Sequence, residues 1–295
     1  MNSQINLPIA IIGDTQRTSR LERSLLLREQ NDAERERLLR SLFDTELGLL
    51  VHLGDMVVNG SSLQAWQEFD RLFAPIFANG IPIVPLLGNH EYWGNRRRML
   101  SHLAARFPGL EDTLWSARLH AGVGLIMIDS NISAFSRADW TKQINWFENT
   151  LRNMDEDPSV RAIVVFSHHP PFTNSATIKD APFFQESFLP AFFSSPKTAA
   201  FISGHVHGYE RFESNDKTFV VSGGGGGPRL RLHRGRKARH KDQFQGVGPR
   251  PFNYMLIYPE DDQLQIEVMG LDKGDLQIHT IDKLTLRYSI PANPS

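Results

Sequence analysis

The sequence predicts an α/β sandwich, and two observations lead to this fold class. Short apolar runs with the length of buried strands end at glycine and polar residues. Amphipathic segments with an apolar residue at every third or fourth position separate these runs, and such alternation is typical of α/β folds. The 295 residues are 40% hydrophobic and 22% charged, as in a globular protein, which excludes collagen-like, coiled-coil and wholly disordered chains.

Eleven segments are predicted as strands. Six lie in the first two thirds of the chain, at residues 8–12, 47–53, 81–87, 123–128, 162–167 and 199–203. Five follow, at residues 219–222, 254–258, 263–269, 276–281 and 284–290. This strand-rich tail indicates a second sheet rather than a separate domain. Because we find no internal repeat and no linker, we predict one domain over residues 1–295.

Three segments are predicted as helices, at residues 22–43, 63–77 and 140–151. The second places Trp66, Phe69 and Phe73 on one apolar face. The first is rich in Leu, Arg and Glu, and its charges are expected on a solvated helix face.

Charge and cysteine content restrict the chemistry. The chain has 32 Lys and Arg against 33 Asp and Glu, so no dedicated nucleic-acid binder is indicated. It has no cysteine, which excludes disulfides, a thiolate nucleophile and cysteine-ligated zinc. Residues 1–8 lack the features of a signal peptide, and no apolar stretch is long enough to span a membrane. We therefore expect a soluble, cytoplasmic protein without a membrane span.

One segment has an unusual composition. Five glycines at 223–227 precede seven Arg or Lys between Arg229 and Lys241. We expect a long, polar, mobile loop here. The glycines either let backbone amides approach a phosphate or act as a hinge for the basic loop, and the sequence leaves both interpretations open.

The ends of the predicted strands carry the chemistry. Metal-ligand residue types follow five of them in succession: Asp14, Asp55, Asn89 with His90, His168, and His205 with His207. In open α/β sheets, ligands bind at the carboxyl ends of strands. Carboxylates, an amide and imidazoles suit zinc, manganese or iron, and six or seven candidate ligands indicate two ions rather than one. Each motif alone is commonly a turn, so the prediction depends on their order and spacing together.

Four other histidines stand apart from these strand ends and are expected to be structural or exposed. They are His52, His102, His120 and His279.

These motifs resemble the calcineurin-like metallophosphoesterases. The resemblance covers about two thirds of the chain and rests on Gly13-Asp14-Thr15-Gln16, Gly54-Asp55, Gly88-Asn89-His90-Glu91, His168 and Gly204-His205-Val206-His207. It implies a four-layered α/β/β/α sandwich of two mixed sheets with a dinuclear metal centre. It also implies a metal-dependent phosphoric ester hydrolase in which a metal-bridging hydroxide attacks phosphorus in line with the leaving oxygen.

The resemblance also implies residue roles. Asp14 and His207 would hold the first ion, Asp55 would bridge both ions, and Asn89, His168 and His205 would hold the second. His90 would lie beside the ions, bind the phosphate and protonate the leaving group.

Two positions depart from the family pattern. Gln16 stands where the family commonly has histidine, so it is a weaker ligand of the first ion or acts through water. Val58 stands where the purple acid phosphatase branch has its tyrosine, so no purple ferric centre is expected. The donor types suit two divalent ions of manganese, iron or zinc, and the sequence leaves their identity open.

Substrate contacts are predicted from residues that follow the motifs. The candidates are Arg17, Tyr92 and Arg97, because guanidinium groups match phosphate geometry. The alternative for the arginines is a solvated helix start.

Three functions follow in order of preference. The first is a phosphoesterase acting on a small phosphorylated molecule. The second is a nuclease or phosphodiesterase whose basic loop tracks a polyanion, although that loop lacks the interleaved aromatic residues used for base stacking. The third is a non-catalytic interaction module, which is disfavoured by the presence of Asp14, Asp55, Asn89, His90, His168, His205 and His207.

Overall fold

The computed structural model of the chain describes residues 7–110, 112–244, 246, 249–275 and 277–288. The described strands are β1 (Ile9–Ile12), β2 (Leu49–His52), β3 (Ile83–Pro85), β4 (Ser116–His120), β5 (Val123–Ile128), β6 (Ala162–Ser167), β7 (Thr198–Ser203), β8 (Tyr209–Ser214), β9 (Lys217–Ser222), β10 (Phe252–Pro259), β11 (Gln263–Leu271) and β12 (His279–Arg287). The described α-helices are α1 (Arg20–Leu25), α2 (Asp32–Phe43), α3 (Leu63–Ala78), α4 (Arg96–Ala104), α5 (Arg137–Glu156), α6 (Pro182–Ser187) and α7 (Leu189–Ser194).

The strands form two mixed six-stranded sheets. The first has the order β12-β11-β10-β1-β2-β3, with β1, β2 and β3 parallel and the others antiparallel. The second has the order β4-β5-β6-β7-β9-β8, in which the four central strands are parallel and the two edge strands antiparallel. The prediction that the strand-rich tail forms a second sheet is wrong, because β10, β11 and β12 extend the sheet that contains β1, β2 and β3, and β9 lies in the other sheet.

Alternation along each strand produces four layers. In β1, Ile9 and Ile11 pack in the apolar core between the sheets, whereas Ala10 and Ile12 pack against α2 and α3 on the outer face. The second sheet likewise directs Val164 into the shared core, and its other face packs against α5, α6 and α7. The α/β/β/α sandwich is therefore confirmed.

Local signals explain the long helices. The Ser62 side chain accepts a hydrogen bond from Ala65 N at the start of α3, and Ser136 does the same for Asp139 N at the start of α5. The predicted segments 63–77 and 140–151 both lie within these helices.

Three predicted elements are wrong in extent. The predicted helix 22–43 is two helices, α1 and α2, with Leu27 in a left-handed conformation (φ 50°) between them and acidic residues in the first turn of α2. The predicted strands 276–281 and 284–290 form one strand, β12, and positions 276 and 290 themselves lie outside the described residues. The strands β4 and β8 and the helices α4, α6 and α7 were not predicted, because each has between five and nine residues and is too short for a clear periodic pattern.

Candidate metal centre

The strand-end residues from both sheets meet in one place. Asp14 follows β1 and lies 3.4 Å from the ring of His207 (Oδ1 to Nε2). Asp55 follows β2 and lies 3.5 Å from the ring of His168 (Oδ2 to Nε2), which follows β6. We call the seven residues that converge here the strand-end cluster: Asp14, Gln16, Asp55, Asn89, His168, His205 and His207.

Three members of the cluster have unusual backbone conformations. Asp14, Asp55 and His205 have φ angles of 59°, 53° and 66°, in the left-handed region. Such conformations cost non-glycine residues roughly 1–3 kcal/mol each and concentrate at functional sites. Each of these residues directly follows a glycine at a strand end, where the chain turns sharply and directs the side chain into the cluster.

Two glycines are required by close packing around Asp55. Gly54 has φ 95°, and a Cβ there would lie 2.8 Å from His168 Nδ1. A Cβ at Gly88 would lie 2.1 Å from Asp55 Oδ1. The Gly-Asp and Gly-Asn-His signals therefore have a steric cause.

One half of the cluster consists of an amide and two imidazoles. His168 Nε2 lies 3.2 Å from Asn89 Oδ1 and 3.1 Å from His205 Nδ1. The other ring nitrogen of His168, Nδ1, donates to the Leu53 carbonyl at 2.9 Å, so Nε2 is the ring nitrogen that faces the rest of the cluster.

The other half contains Asp14, Gln16 and His207. The His207 Nδ1 bonds the Pro228 carbonyl at 2.8 Å, so Nε2 faces Asp14 and Gln16. Gln16 Nε2 lies 3.2 Å from Asp55 Oδ2, and this contact links the two halves.

A metal pair fits these residues. Gln16 Oε1 is buried without a hydrogen-bond partner, and rotating the amide would direct this oxygen toward Asp55 and His207, an arrangement that a cation stabilises. Ligand atoms of Asp14, Asp55 and His207 lie within 4.8 Å of one another, as do those of His168, His169 and His205. Oxygen and imidazole donors in this mixture suit zinc, manganese or iron.

The electrostatics of the cluster also favour a cation. Burial alone would raise the pKa of Asp55, but the imidazoles of His168 and His90 lower it below its usual range. Burial opposes the charged form of His168, yet the carboxylates of Asp55 and Asp14 raise its pKa to about 10. Two buried carboxylates thus require a positive charge, supplied here by a proton on His168, and a metal ion could supply it instead.

His90 lies beside the cluster rather than within it. Its Nδ1 bonds the Val58 carbonyl at 3.1 Å, and its Nε2 lies 3.8 Å from Asp55 Oδ2. The ring of Trp93 stacks on it with centroids 3.7 Å apart. The ring of His90 is therefore fixed on two sides.

Glu91 holds the turn that carries Asp55. Its buried carboxyl accepts hydrogen bonds from the backbone amides of Asp55 (2.8 Å), Gly88 (2.7 Å) and Val57 (3.1 Å). Burial and the charge of Asp55 raise the pKa of Glu91 to about 8. The fourth residue of the Gly-Asn-His-Glu motif therefore positions the backbone of the cluster.

Residues 7–209 match the model of the calcineurin-like phosphoesterase family, which is more than half of the chain. The chain belongs to the calcineurin-like phosphoesterase family. No curated protein matches it.

Solved structures of the same fold include two phosphatases. A purple acid phosphatase from yellow lupin (Lupinus luteus) seeds has a TM-score of 0.71 and 16% identity over 96% of this chain, which spans about half (54%) of the lupin protein. A dimetal phosphatase from Danio rerio has a TM-score of 0.66 and 15% identity, covering 97% of this chain and 100% of its own.

A third structure has a different description. GAP50, the anchor in the inner membrane complex of Plasmodium, has a TM-score of 0.66 and 15% identity, with 96% of this chain and 89% of that chain covered. At these identities the three structures establish a shared fold. Within the described part of this phosphoesterase-family chain, no helix has the length and apolar character needed to cross a membrane.

The predicted substrate residues lie outside the cluster. The Arg17 guanidinium lies 3.6 Å from Asp32 and 3.4 Å from Glu68, against α2 and α3. Tyr92 donates its hydroxyl hydrogen to Asp129. Arg97 is exposed on α4. These contacts are with residues outside the strand-end cluster, and the substrate role of the three side chains stays a prediction.

Two aromatic residues near the family motifs were missed. Trp93 is 46% exposed although it stacks on His90, and nothing in its local sequence distinguishes it from a core aromatic residue. His169 bonds Ser130 Oγ at 2.8 Å, and burial lowers its pKa to about 3, so it is neutral. The sequence feature that could have identified His169 is its position directly after the motif residue His168.

The contacts of the five glycines give them a packing role that neither interpretation includes. All five are buried, and the amides of Gly225 and Gly227 donate to the carbonyls of Gly13 (2.9 Å) and Asp14 (3.0 Å). A Cβ at Gly227 would lie 2.6 Å from the His207 ring. The five glycines therefore allow the backbone of residues 223–227 to pack closely against Gly13 and Asp14 of the first motif.

Proposed function

We propose that this chain is a metal-dependent phosphoesterase that hydrolyses a phosphate ester of a small molecule. The observation that carries the proposal is the position of Asp55, whose Oδ2 lies 3.2 Å from Gln16 Nε2 and 3.5 Å from His168 Nε2. One carboxylate thus lies between two groups of metal-ligand side chains, as a bridging ligand must.

The proposed ligand sets follow the two halves of the cluster. Asp14, Gln16 and His207 would hold one ion, Asn89, His168 and His205 would hold the other, and Asp55 would bridge them. Manganese, iron and zinc all suit these donors. When bound, two such ions polarise a phosphoryl oxygen and lower the pKa of a water toward neutrality.

His90 is the proposed acid for the leaving group. Because its Nδ1 is held by the Val58 carbonyl, its Nε2 is the nitrogen that faces the cluster. A proton on this nitrogen can pass to the ester oxygen as the phosphorus–oxygen bond breaks, and such a positioned acid contributes about a hundredfold or more. Trp93 keeps the ring in this orientation and covers one of its faces.

The contacts of the basic segment 229–241 favour a small substrate over a tracked polymer. Arg229 pairs with Glu29 at 2.9 Å, and Arg239 donates to the backbone carbonyls of Thr173 and Ser175 at 2.8 and 3.0 Å. Side chains used in this way are not available to follow a phosphate backbone. A nuclease or other phosphodiesterase is the second candidate, and the other Arg and Lys residues of the segment support it.

A reconstitution assay tests the proposal. The chain is stripped with a chelator, reloaded with Mn²⁺, Fe²⁺ or Zn²⁺, and assayed with p-nitrophenyl phosphate and bis-p-nitrophenyl phosphate. We expect turnover that depends on added metal, with the preferred ester separating phosphatase from phosphodiesterase. Absence of turnover with every metal and both esters, in a folded and metal-loaded chain, would favour a non-catalytic interaction module.

A further inference from the structure

Three consecutive leucines between the end of α1 and the start of α2 extend into solvent. Leu25, Leu26 and Leu27 are 71%, 60% and 86% exposed, and within the described part of the chain no other large hydrophobic side chain is as exposed. Single exposed leucines are ordinary, whereas contiguous exposed apolar side chains mark interaction surfaces. We call these three residues the leucine tip.

The backbone of the leucine tip adopts an unfavourable conformation. Leu27 has φ 50°, in the left-handed region that leucine disfavours. Backbone outliers of this kind concentrate at functional sites. The strain and the exposed apolar surface are both unfavourable in water, and a partner that takes up the leucines would offset both.

The segment that carries the leucine tip has a fixed base. Thr18 Oγ1 donates to the Glu29 carbonyl at 2.7 Å, which joins the two ends of the segment. The Glu29 carboxylate in turn accepts from the backbone amide and from Nε of Arg229, both at 2.9 Å. Residues 18–29 therefore form a loop whose ends are anchored and whose apolar tip is exposed.

Positive charge flanks the leucine tip on both sides. Residues 20–28 contain three arginines and one glutamate. The exposed Arg23 donates to the neutral amide oxygen of Gln30 at 3.1 Å, and the carboxylate of Glu29 is engaged by Arg229. Arginines on either side of an apolar tip match a flat surface of negative charge, whereas a groove that accepts only the leucines would leave them outside. An apolar segment with flanking cations is the combination that binds the interface of an anionic bilayer.

Loop 18–29 lies on the side of the molecule that carries His90. Arg23 lines a cavity of about 450 Å³ together with Arg17 and Val58. The Val58 carbonyl also bonds His90 Nδ1, at 3.1 Å. A surface bound by the loop would therefore lie close to the proposed acid.

We propose that loop 18–29 docks this protein on the surface of a lipid bilayer that contains anionic phospholipids. The leucine tip enters the boundary between head groups and acyl chains, and Arg23 and Arg28 bind head-group phosphates. Docking of this kind needs no spanning helix. It goes beyond the proposed function and does not depend on turnover.

Vesicle sedimentation tests the apolar contribution. The full chain is mixed with vesicles of phosphatidylcholine alone or of an equimolar mixture with phosphatidylglycerol, and we expect binding to the mixed vesicles. L25S/L26S/L27S should bind them at least about tenfold more weakly, because the apolar area buried in the interface sets the binding strength. The control, L119S/I132S, removes two exposed apolar side chains elsewhere and should stay within about twofold of the original chain. Unchanged binding by L25S/L26S/L27S, or no binding by the original chain, would overturn the proposal.

A second pair of variants tests the charge. R23Q/R28Q should bind mixed vesicles about tenfold more weakly, because each arginine near an anionic surface strengthens binding several-fold. High salt should cause a similar loss in the original chain. R137Q/K142Q removes two exposed cations from α5 and is the control. Equal weakening in the two variants would show that the charge of the whole protein drives binding, and would overturn the proposal.

A label on the leucine tip separates a bilayer from a protein partner. The chain has no cysteine, so L26C and L119C each offer one site for an environment-sensitive fluorophore. We expect a blue shift of the emission on mixed vesicles for L26C and none for L119C. Vesicle binding without that shift, or a dimer that depends on the leucine tip and does not bind vesicles, would overturn the proposal. No arm measures turnover, so failure of docking and failure of the proposed function are distinguishable.

Discussion

The strand-end cluster and the basic segment 229–241 are both rich in charge, but their charges are arranged differently. In the cluster, the imidazoles of His207 and His168 lie 3.4 and 3.5 Å from the carboxylates of Asp14 and Asp55, longer than a typical N–H···O hydrogen bond. In the basic segment, Arg229 and His240 meet their carboxylates at 2.9 and 2.8 Å. Side chains that face a common point without closing on one another are arranged for a ligand, whereas closed ion pairs hold a loop in place.

The largest expected effect comes from Asp55, the residue that joins both halves of the cluster. Asp55→Asn should lower kcat by at least about a thousandfold, because it removes the charge that would bridge two ions, and electrostatic stabilisation by such ions is worth several kcal/mol. The measurement is the hydrolysis of p-nitrophenyl phosphate together with metal content.

Asp261→Asn is the matched control, since that side chain is 98% exposed and forms a surface salt bridge with Arg161. Its activity should equal that of the original chain. Full activity of Asp55→Asn would contradict the comparison. The side chains of the cluster would then have a structural role, like the ion pairs of the basic segment, and not bind a ligand needed for activity.

A substitution of His90 tests whether this residue is a metal ligand or lies beside the ligands. His90→Ala should lower kcat by about a hundredfold and leave the metal content unchanged, since the ring lies beside the proposed ligands rather than among them. Kinetics and elemental analysis of the same sample check this. Loss of metal in His90→Ala would show that His90 is itself a metal ligand and belongs to the strand-end cluster.

The network that anchors the basic segment gives a pH-dependent prediction. Burial raises the pKa of Glu210 to about 7, while its carboxyl accepts from Thr173 Oγ1 at 2.6 Å and Asn174 N at 2.8 Å. Its pKa is higher in the folded than in the unfolded chain, so the folded state holds the extra proton. Stability from this group is complete below the unfolded pKa and is lost as pH rises through about 7.

We therefore expect Glu210→Gln to flatten the pH dependence of the free energy of unfolding between about pH 4.5 and 7, by about 3 kcal/mol. Urea titrations across this range measure it. Glu213→Gln, an exposed change on the same strand, is the control. An unchanged slope in Glu210→Gln would show that this carboxyl is already ionised in the folded chain.

The smallest expected effect concerns Gln16, the amide in the half of the cluster that also contains Asp14 and His207. Gln16→His should slow metal loss to a chelator by about tenfold, because imidazole is a stronger ligand than an amide, and Gln16→Leu should accelerate it. The buried, unpartnered Oε1 marks this position as the incompletely satisfied member. If all three chains lose metal at equal rates, residue 16 is not a ligand.

The sequence predicts the cluster well, because each contributing motif is local. A strand, a glycine and a ligand residue stand side by side at Gly54-Asp55 and Gly204-His205, and the steric need for glycine is met within the motif itself. What brings the motifs together is the parallel order of the strands, which the alternation of strands and helices already indicates.

Features made by distant contacts were not predictable in this way. Arg229 pairs with Glu29, which lies 200 positions away in the sequence. No local sequence pattern therefore predicts that side chains of the basic segment form ion pairs. Trp93 is distinguished from a core aromatic residue only by its exposure and its stacking on His90. The break between α1 and α2 depends on one left-handed residue, Leu27, whose type does not favour that conformation.

The most direct test of the central claim is anomalous diffraction at the manganese edge from crystals of the Mn²⁺-loaded chain. We predict two anomalous peaks that share Asp55, one beside Asp14 and His207 and one beside Asn89, His168 and His205. A single peak, or peaks remote from Asp55, would contradict the account.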